Sequence, residues 1–169
     1  MDVDFHRDIQ RPGKHDYYMA IAEDVKTRSH DAETQFGAVF VRPSTGAIVA
    51  TGYNGFIRQA DDDHLPNLRP EKYPYMVHAE ENAITACARH GIALDGCIMY
   101  CRGTPCQHCT RLLWQCGIYE VIFKEFHPTF EEVKKMKDIE VMVLDMNKGF
   151  KKLVFRPRYA GVAKPEMAR

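Results

Sequence analysis

The chain has 169 residues, and its 23 Lys and Arg balance 23 Asp and Glu, for a formal net charge of zero and a pI near 7.1. With 45% hydrophobic and 11% aromatic residues it is long enough for one domain with a core flanked by helices. The neutral balance argues against a broad nucleic-acid-binding surface, and no apolar run approaches the length of a membrane span.

In chain order, Asp16 to Arg28 carries Tyr18, Ile21, Ala22 and Val25 at helical spacing and predicts an amphipathic first helix. Gly37–Val41 and Ile48–Tyr53 are apolar, β-rich runs separated by Pro43-Ser44-Thr45-Gly46, the pattern of an antiparallel hairpin. Residues 55–75, with three prolines and the run Asp61-Asp62-Asp63, predict a long functional loop. Ala79–His90 is a helix stopped by Gly91. A strand at Cys97–Cys101, a helix at Cys106–Cys116, a strand at Tyr119–Phe123, a helix at Phe130–Lys137 and a strand at Val141–Leu144 complete the pattern. An initial hairpin followed by alternating strands and helices predicts an α/β chain, a mixed sheet covered by helices on both faces. The tail from 148 to 169, with Lys151, Lys152, Arg156 and Arg158 among Phe150, Phe155 and Tyr159, fits a packing arm, an oligomer contact or, on thin grounds, an RNA grip.

Six cysteines and no signal-peptide pattern point to a reducing, cytoplasmic setting. Two of them belong to the most telling pattern, His78-Ala79-Glu80 followed by Pro105-Cys106-Gln107-His108-Cys109. One imidazole and two thiolates hold zinc at three corners of a tetrahedron and leave the fourth open, the mark of a catalytic site. Bound Zn²⁺ lowers the pKa of water to roughly 7, and Glu80 is placed to move protons as general acid and base. A thiolate at a helix start also gains from the unpaired N–H groups there. Alone, His-x-Glu is usually a solvated surface pair, and Cys-x-x-Cys could be a redox pair or half of a structural zinc site. His108, inside the loop, points poorly for a fourth ligand. Cys87, Cys97, Cys101 and Cys116 fall on apolar-patterned segments and read as buried free thiols.

The two motifs together, with Arg28-Ser29, Gln35-Phe36-Gly37-Ala38, Gly52-Tyr53-Asn54-Gly55, Lys72-Tyr73-Pro74-Tyr75 and His78 through Ile84, resemble the cytidine and deoxycytidylate deaminases, above all the deoxycytidylate branch. The resemblance runs from about residue 17 to 123. It implies a three-layer α/β/α fold, conversion of dCMP and water to dUMP and ammonia for thymidylate synthesis, zinc held by His78, Cys106 and Cys109, and Glu80 as proton shuttle. It also implies a homo-oligomer, a hexamer, activated by dCTP with Mg²⁺ and restrained by dTTP. Gly52, Tyr53, Asn54 and Gly55 then become substrate or effector residues, although in isolation a turn that closes the strand is the favoured reading of Tyr53-Asn54-Gly55. Asn82, Gln35 and Arg89 join that set by the same resemblance. Arg28, Arg58, Arg69, Lys72 and Arg89 are each candidates to meet a phosphate, though an isolated basic residue is most often surface charge.

Cys101-Arg102-Gly103-Thr104 departs from the lead-in usual before Pro-Cys in relatives, which makes Arg102 a candidate tuner of the pocket. The loop before His78 offers His64 and no Cys, so a second, structural zinc is not expected. Rival readings are a zinc deaminase of 5-modified dCMP, free cytidine, guanine or tRNA adenosine, and a non-catalytic zinc-binding regulatory protein.

Overall fold

A computed structural model of the chain describes residues 10–157. Helix α1 (Lys14–Lys26) leads into the hairpin β1 (Gly37–Arg42) and β2 (Ala47–Tyr53). Then come α2 (Ala79–His90), β3 (Ile98–Cys101), α3 (Gln107–Gln115), β4 (Glu120–Phe123), α4 (Phe130–Lys134), β5 (Ile139–Asp145) and β6 (Lys151–Pro157). The six strands form one mixed sheet in the order β2-β1-β3-β4-β6-β5. Strands β3 and β4, joined by α3, pair in parallel, and every other neighbouring pair is antiparallel.

Strand β1 explains the three layers. Its side chains alternate across the sheet with period two. Ala38 and Phe40 face the larger core, with Ala79 and Ala83 of α2, Leu113 of α3 and Val133 of α4. Val39 and Val41 face Tyr18, Met19 and Ala22 of α1, together with Tyr100, Ile122 and Phe150. A strand buried on both faces must be apolar at every position, which is how Gly37–Val41 reads. Helix α2 ends at Gly91, whose φ of 67° is left-handed, so the expected stop holds for the expected reason.

Two segments differ from expectation. The tail supplies a strand: β6 lies between β4 and β5, with Leu153 and Phe155 buried and Lys152 reaching Glu120 at 3.0 Å. The alternation of Lys152, Leu153, Val154, Phe155 and Arg156 is a strand pattern hidden by its charges. Lys151, Lys152 and Arg156 are therefore sheet residues, while Arg158 and Tyr159 lie outside the described residues. Helix α4 is three residues shorter than the pattern suggests. Its last turn tightens, with Lys135 N–H on Glu132 O and Met136 N–H on Val133 O, which turns Met136 and Ile139 into the core. Residues 56–76 form turns without a regular strand, and Gly55 and Val77 close them with an isolated bridge.

Candidate active site

Both motifs sit where helices begin. His78 and Cys106 are the N-cap residues of α2 and α3, each in extended backbone (φ −71°, ψ 157° and φ −74°, ψ 174°), and the two helices are neighbours. Cys109 lies in the first turn of α3, fully buried. His78 Nδ1 is 3.5 Å from Cys106 Sγ and 3.4 Å from Cys109 Sγ. A zinc ion with Zn–S of about 2.3 Å and Zn–N of about 2.05 Å at the tetrahedral angle sets S and N about 3.6 Å apart. The donor atoms thus fit a tetrahedral cation, and this is the cluster of metal-ligand type found among the described residues. His108 faces Glu81 at 3.7 Å, away from the cluster.

The electrostatics agree. Cys106 is a thiolate, its pKa brought down to about 3 by hydrogen bonds from Cys109 and then His78, against burial. The same Cys106 raises Cys109, which keeps its proton, and raises His78 to about 9. A cation bound in the triangle would compete with protons for the imidazole and the thiols. Glu80 is 5% exposed, and burial pushes its carboxyl up toward the neutral form.

Gly52 brings α2 to the sheet. A Cβ there would run into Ala79 O and come within 2.8 Å of Ala83 N, so the glycine permits the close approach that sets His78 and Glu80. Asn82 Nδ2 donates to Tyr53 O at 2.9 Å, tying α2 to the end of β2, and Gly55 pairs with Val77 just before His78. Asn54 is buried with its amide spent on the protein. Its Oδ1 accepts from Phe36 N–H at 2.7 Å, and its Nδ2 donates to Thr34 O at 2.9 Å and Asp31 Oδ2 at 3.2 Å. Both amide protons are used, so what Asn54 holds here is the loop between α1 and β1. Gln35 is in that loop, donating from Nε2 to Ser29 O at 3.0 Å. Arg89 is exposed in the last turn of α2, eleven residues from His78 and so roughly 16 Å along the helix. Within this chain it does not join the cluster.

Among the phosphate candidates, Lys72 is buried in an ion pair with Asp31 (2.5 Å) and Glu33 (3.0 Å), and so presents nothing to a ligand. Arg69 is 45% exposed and rests on Thr34 Oγ1 and Glu33. Arg102 is a surface residue paired with Glu125 at 2.8 Å and Glu23 at 3.8 Å. Cys87, Cys97 and Cys101 are buried free thiols, and Cys116 is a half-buried one. Sequence reasoning misses Asp31, which organises the loop, and His127, which lies within electrostatic reach of Cys106 and His78. Neither belongs to a spacing motif. No helix among the described residues is long and apolar enough to cross a membrane.

With this geometry in view, comparison with known proteins is informative. Residues 12–125 match the family model described as "Cytidine and deoxycytidylate deaminase zinc-binding region". Human deoxycytidylate deaminase is 42% identical over 114 residues, 64% of this chain and 62% of that protein. The orangutan (Pongo abelii) deoxycytidylate deaminase matches to the same extent, so the matched stretch spans less than two thirds of these relatives' length. The dCMP deaminase of cyanophage S-TIM5, solved in complex with dCMP and dUMP, superimposes with a TM-score of 0.64 at 25% identity, over 75% of this chain and 91% of that one. Matching motifs, matching sheet and a donor triangle of zinc dimensions converge: the chain belongs to the cytidine and deoxycytidylate deaminase family.

Proposed function

We propose that the protein is a zinc-dependent deaminase converting dCMP and water to dUMP and ammonia. The observation that carries the reading is the His78–Cys106–Cys109 triangle, with its tetrahedral spacing, next to the buried carboxyl of Glu80. Support for the nucleotide comes from the relatives named deoxycytidylate deaminase and from the cyanophage enzyme with dCMP and dUMP.

His78, Cys106 and Cys109 would hold the ion, as the two thiolates and neutral imidazole that zinc favours. Zinc held there supplies the Lewis acidity that makes water a nucleophile near neutral pH. Glu80 takes one proton from the attacking water and delivers it to the ring nitrogen, then takes the second from the hydroxyl that becomes the carbonyl and delivers it to the amine as the C–N bond breaks. Its burial raises proton affinity, which suits a group that must accept a proton and release it within one turnover. Gly52 and Asn82 fix α2, and with it Glu80, against β2. Asn54, Tyr53, Gly55 and Gln35 shape the loops bordering the pocket. The proposal extends to a cytoplasmic homo-oligomer, a hexamer, with Arg89 at a subunit boundary, and to activation by dCTP with Mg²⁺ and inhibition by dTTP.

The test is ammonia release from zinc-loaded protein with dCMP, CMP, deoxycytidine and dCTP, each with and without added dCTP–Mg²⁺. Turnover of dCMP is expected, rising with dCTP. Turnover without activation would keep the enzyme and remove the regulation. Silence on all four substrates with zinc bound would overturn the dCMP reading and direct the assay to 5-modified nucleotides and tRNA.

A further inference from the structure

We propose that the outer edge of β5 pairs with the same strand of a second copy, antiparallel about a twofold axis at Met142, so that two sheets run on as one. This contact belongs to the homo-oligomer proposed above and is independent of the substrate.

The two edges of the sheet are built differently. Helices α1 and α2 pack on β2 from opposite faces, and its pairing with β1 skips Val49, a bulge. Natural edge strands are blunted in such ways, by cover, bulges, prolines or lysines. Strand β5 has no Pro and no Lys, and its register with β6 is unbroken from Ile139 to Asp145. Val143 and Leu144 are 36% and 44% exposed. Among the described residues no strand pairs with the outer side of β5.

The alternation of backbone hydrogen bonds fixes which groups face outward. Phe155 N–H donates to Tyr119 O at 2.9 Å, so Phe155 and Leu153 turn their backbone polar groups toward β4. Successive residues of a strand turn these groups to opposite sides, which aims those of Lys152, Val154 and Arg156 at β5. Their partners there are Leu144, Met142 and Glu140. The bond from Met146 N–H to Phe150 O at 2.9 Å continues the same alternation past the strand end. The N–H and C=O groups of Ile139, Val141, Val143 and Asp145 are therefore left to face outward, where such groups call for partners.

Symmetry and charge select a second copy as the occupant. A twofold axis at Met142 sets Ile139 opposite the partner subunit's Asp145, and Val141 opposite the partner subunit's Val143. Every outward residue then meets an outward residue, the arrangement in which N–H and C=O groups are exchanged. Val141 and the partner subunit's Val143 form a β-branched cross-strand pair on one face. The acids do not oppose the contact. Glu140 lies across from Arg156 and Asp145 across from Lys151 in their own hairpin, so each is countered within its chain. Across the axis they meet the partner subunit's Leu144 and Ile139, not each other, and like charges directly opposite are avoided. An isologous contact asks that one surface complement itself, and β5 does.

The experiment uses the zinc-loaded full chain and reads cross-linking and mass. On the axis the two Cα atoms at position 142 sit about 4.5 Å apart, inside the disulfide limit of about 7 Å. Those at position 144 sit roughly 14 Å apart along the strands, outside it. Met142→Cys is therefore expected to form a disulfide-linked dimer under oxidised glutathione, about tenfold faster than wild type or Leu144→Cys, although position 144 is the more exposed. Val143→Pro removes an outward N–H and leaves the β6 bonds in place. Added to Met142→Cys, it should slow the cross-link about tenfold, with zinc content and melting temperature preserved. Equal rates at positions 142 and 144, or a cross-link indifferent to Val143→Pro, would overturn the β5 contact and leave the wider oligomer standing. Wild type that sediments as a monomer throughout the micromolar range would remove the oligomer and the contact together, and leave the dCMP reading intact.

Discussion

Replacing Lys72 by Met probes the network that holds the loop between α1 and β1. The ammonium is 2% exposed, 2.5 Å from Asp31 Oδ1 and 3.0 Å from Glu33 Oε2. Asp31 also accepts the N–H groups of Glu33 and Thr34, each at 2.8 Å, and that of Asn54 at 3.2 Å. Breaking a buried pair by removing one partner costs about 3–5 kcal/mol. These surviving donors put Lys72→Met near the lower end, about 3 kcal/mol, or a fall in Tm of roughly 6–12 °C for a chain of this size. The pH dependence identifies the cause. Burial pushes the Asp31 carboxyl up, but the hydrogen bonds from Lys72 and the loop N–H groups outweigh it and hold the pKa below 3.8. That stabilisation is present above pH 3.8 and is lost as pH falls through the lower folded value. In the variant burial acts without the ammonium, so Asp31 takes up its proton at a higher pH than in wild type, and the variant is relieved first. Urea unfolding of both proteins from pH 7 to pH 4 is expected to give a deficit that is largest at pH 7 and narrows on acidification. Adding Asp31→Asn to the variant should recover part of the stability. A Tm within 2 °C of wild type by the same scale, or a deficit unchanged at pH 4, would refute the role given to this pair.

Other outcomes follow from the same structure. Glu80→Gln should bind zinc fully yet lose roughly 10²- to 10⁴-fold in turnover, and wild-type ammonia release from that variant would remove the proton-shuttle role. Cys109→Ser exchanges a thiolate for a poor ligand, so it should purify with substoichiometric zinc, as metal analysis would reveal; full occupancy would contradict the assignment. Chelation should abolish turnover and lower Tm, and each tenfold rise in free zinc above Kd should add about 1.4 kcal/mol of stability. A melting temperature indifferent to zinc would argue against the centre. Gly52→Ala pushes a methyl at Ala79 O and Ala83 N and should cost about 1–3 kcal/mol. Its activity per bound zinc should fall because Glu80 moves with α2, and a variant of wild-type rate and stability would show that α2 yields without consequence.

The chemistry-bearing residues were legible because their spacing is local. His78-Ala79-Glu80 and Cys106 to Cys109 each span one helical turn, so helix geometry alone brings their side chains together. The hairpin and α2 were legible for the same reason, since period-two runs, a turn and a C-terminal glycine are properties of short windows. Strand β6 was not: its alternation is masked by lysines, and its place between β4 and β5 depends on which edge is free once the rest of the sheet has formed. Lys72 reads as surface charge until folding places Asp31 and Glu33 around it from a loop some forty residues earlier. Asn54 reads as a ligand contact or a turn, and the tertiary structure spends its amide on the neighbouring loop. His127 has no sequence signal, because the contacts that anchor it include Thr104 and Phe36, which are distant in the chain. Sequence by itself determined the candidate donor atoms, the carboxyl proposed as proton carrier and the elements that present them, since those depend on residue type and short-range geometry. Which polar side chains became buried supports and which stayed free to meet a ligand was decided by tertiary structure, since a buried charge or amide needs partners that only long-range packing supplies.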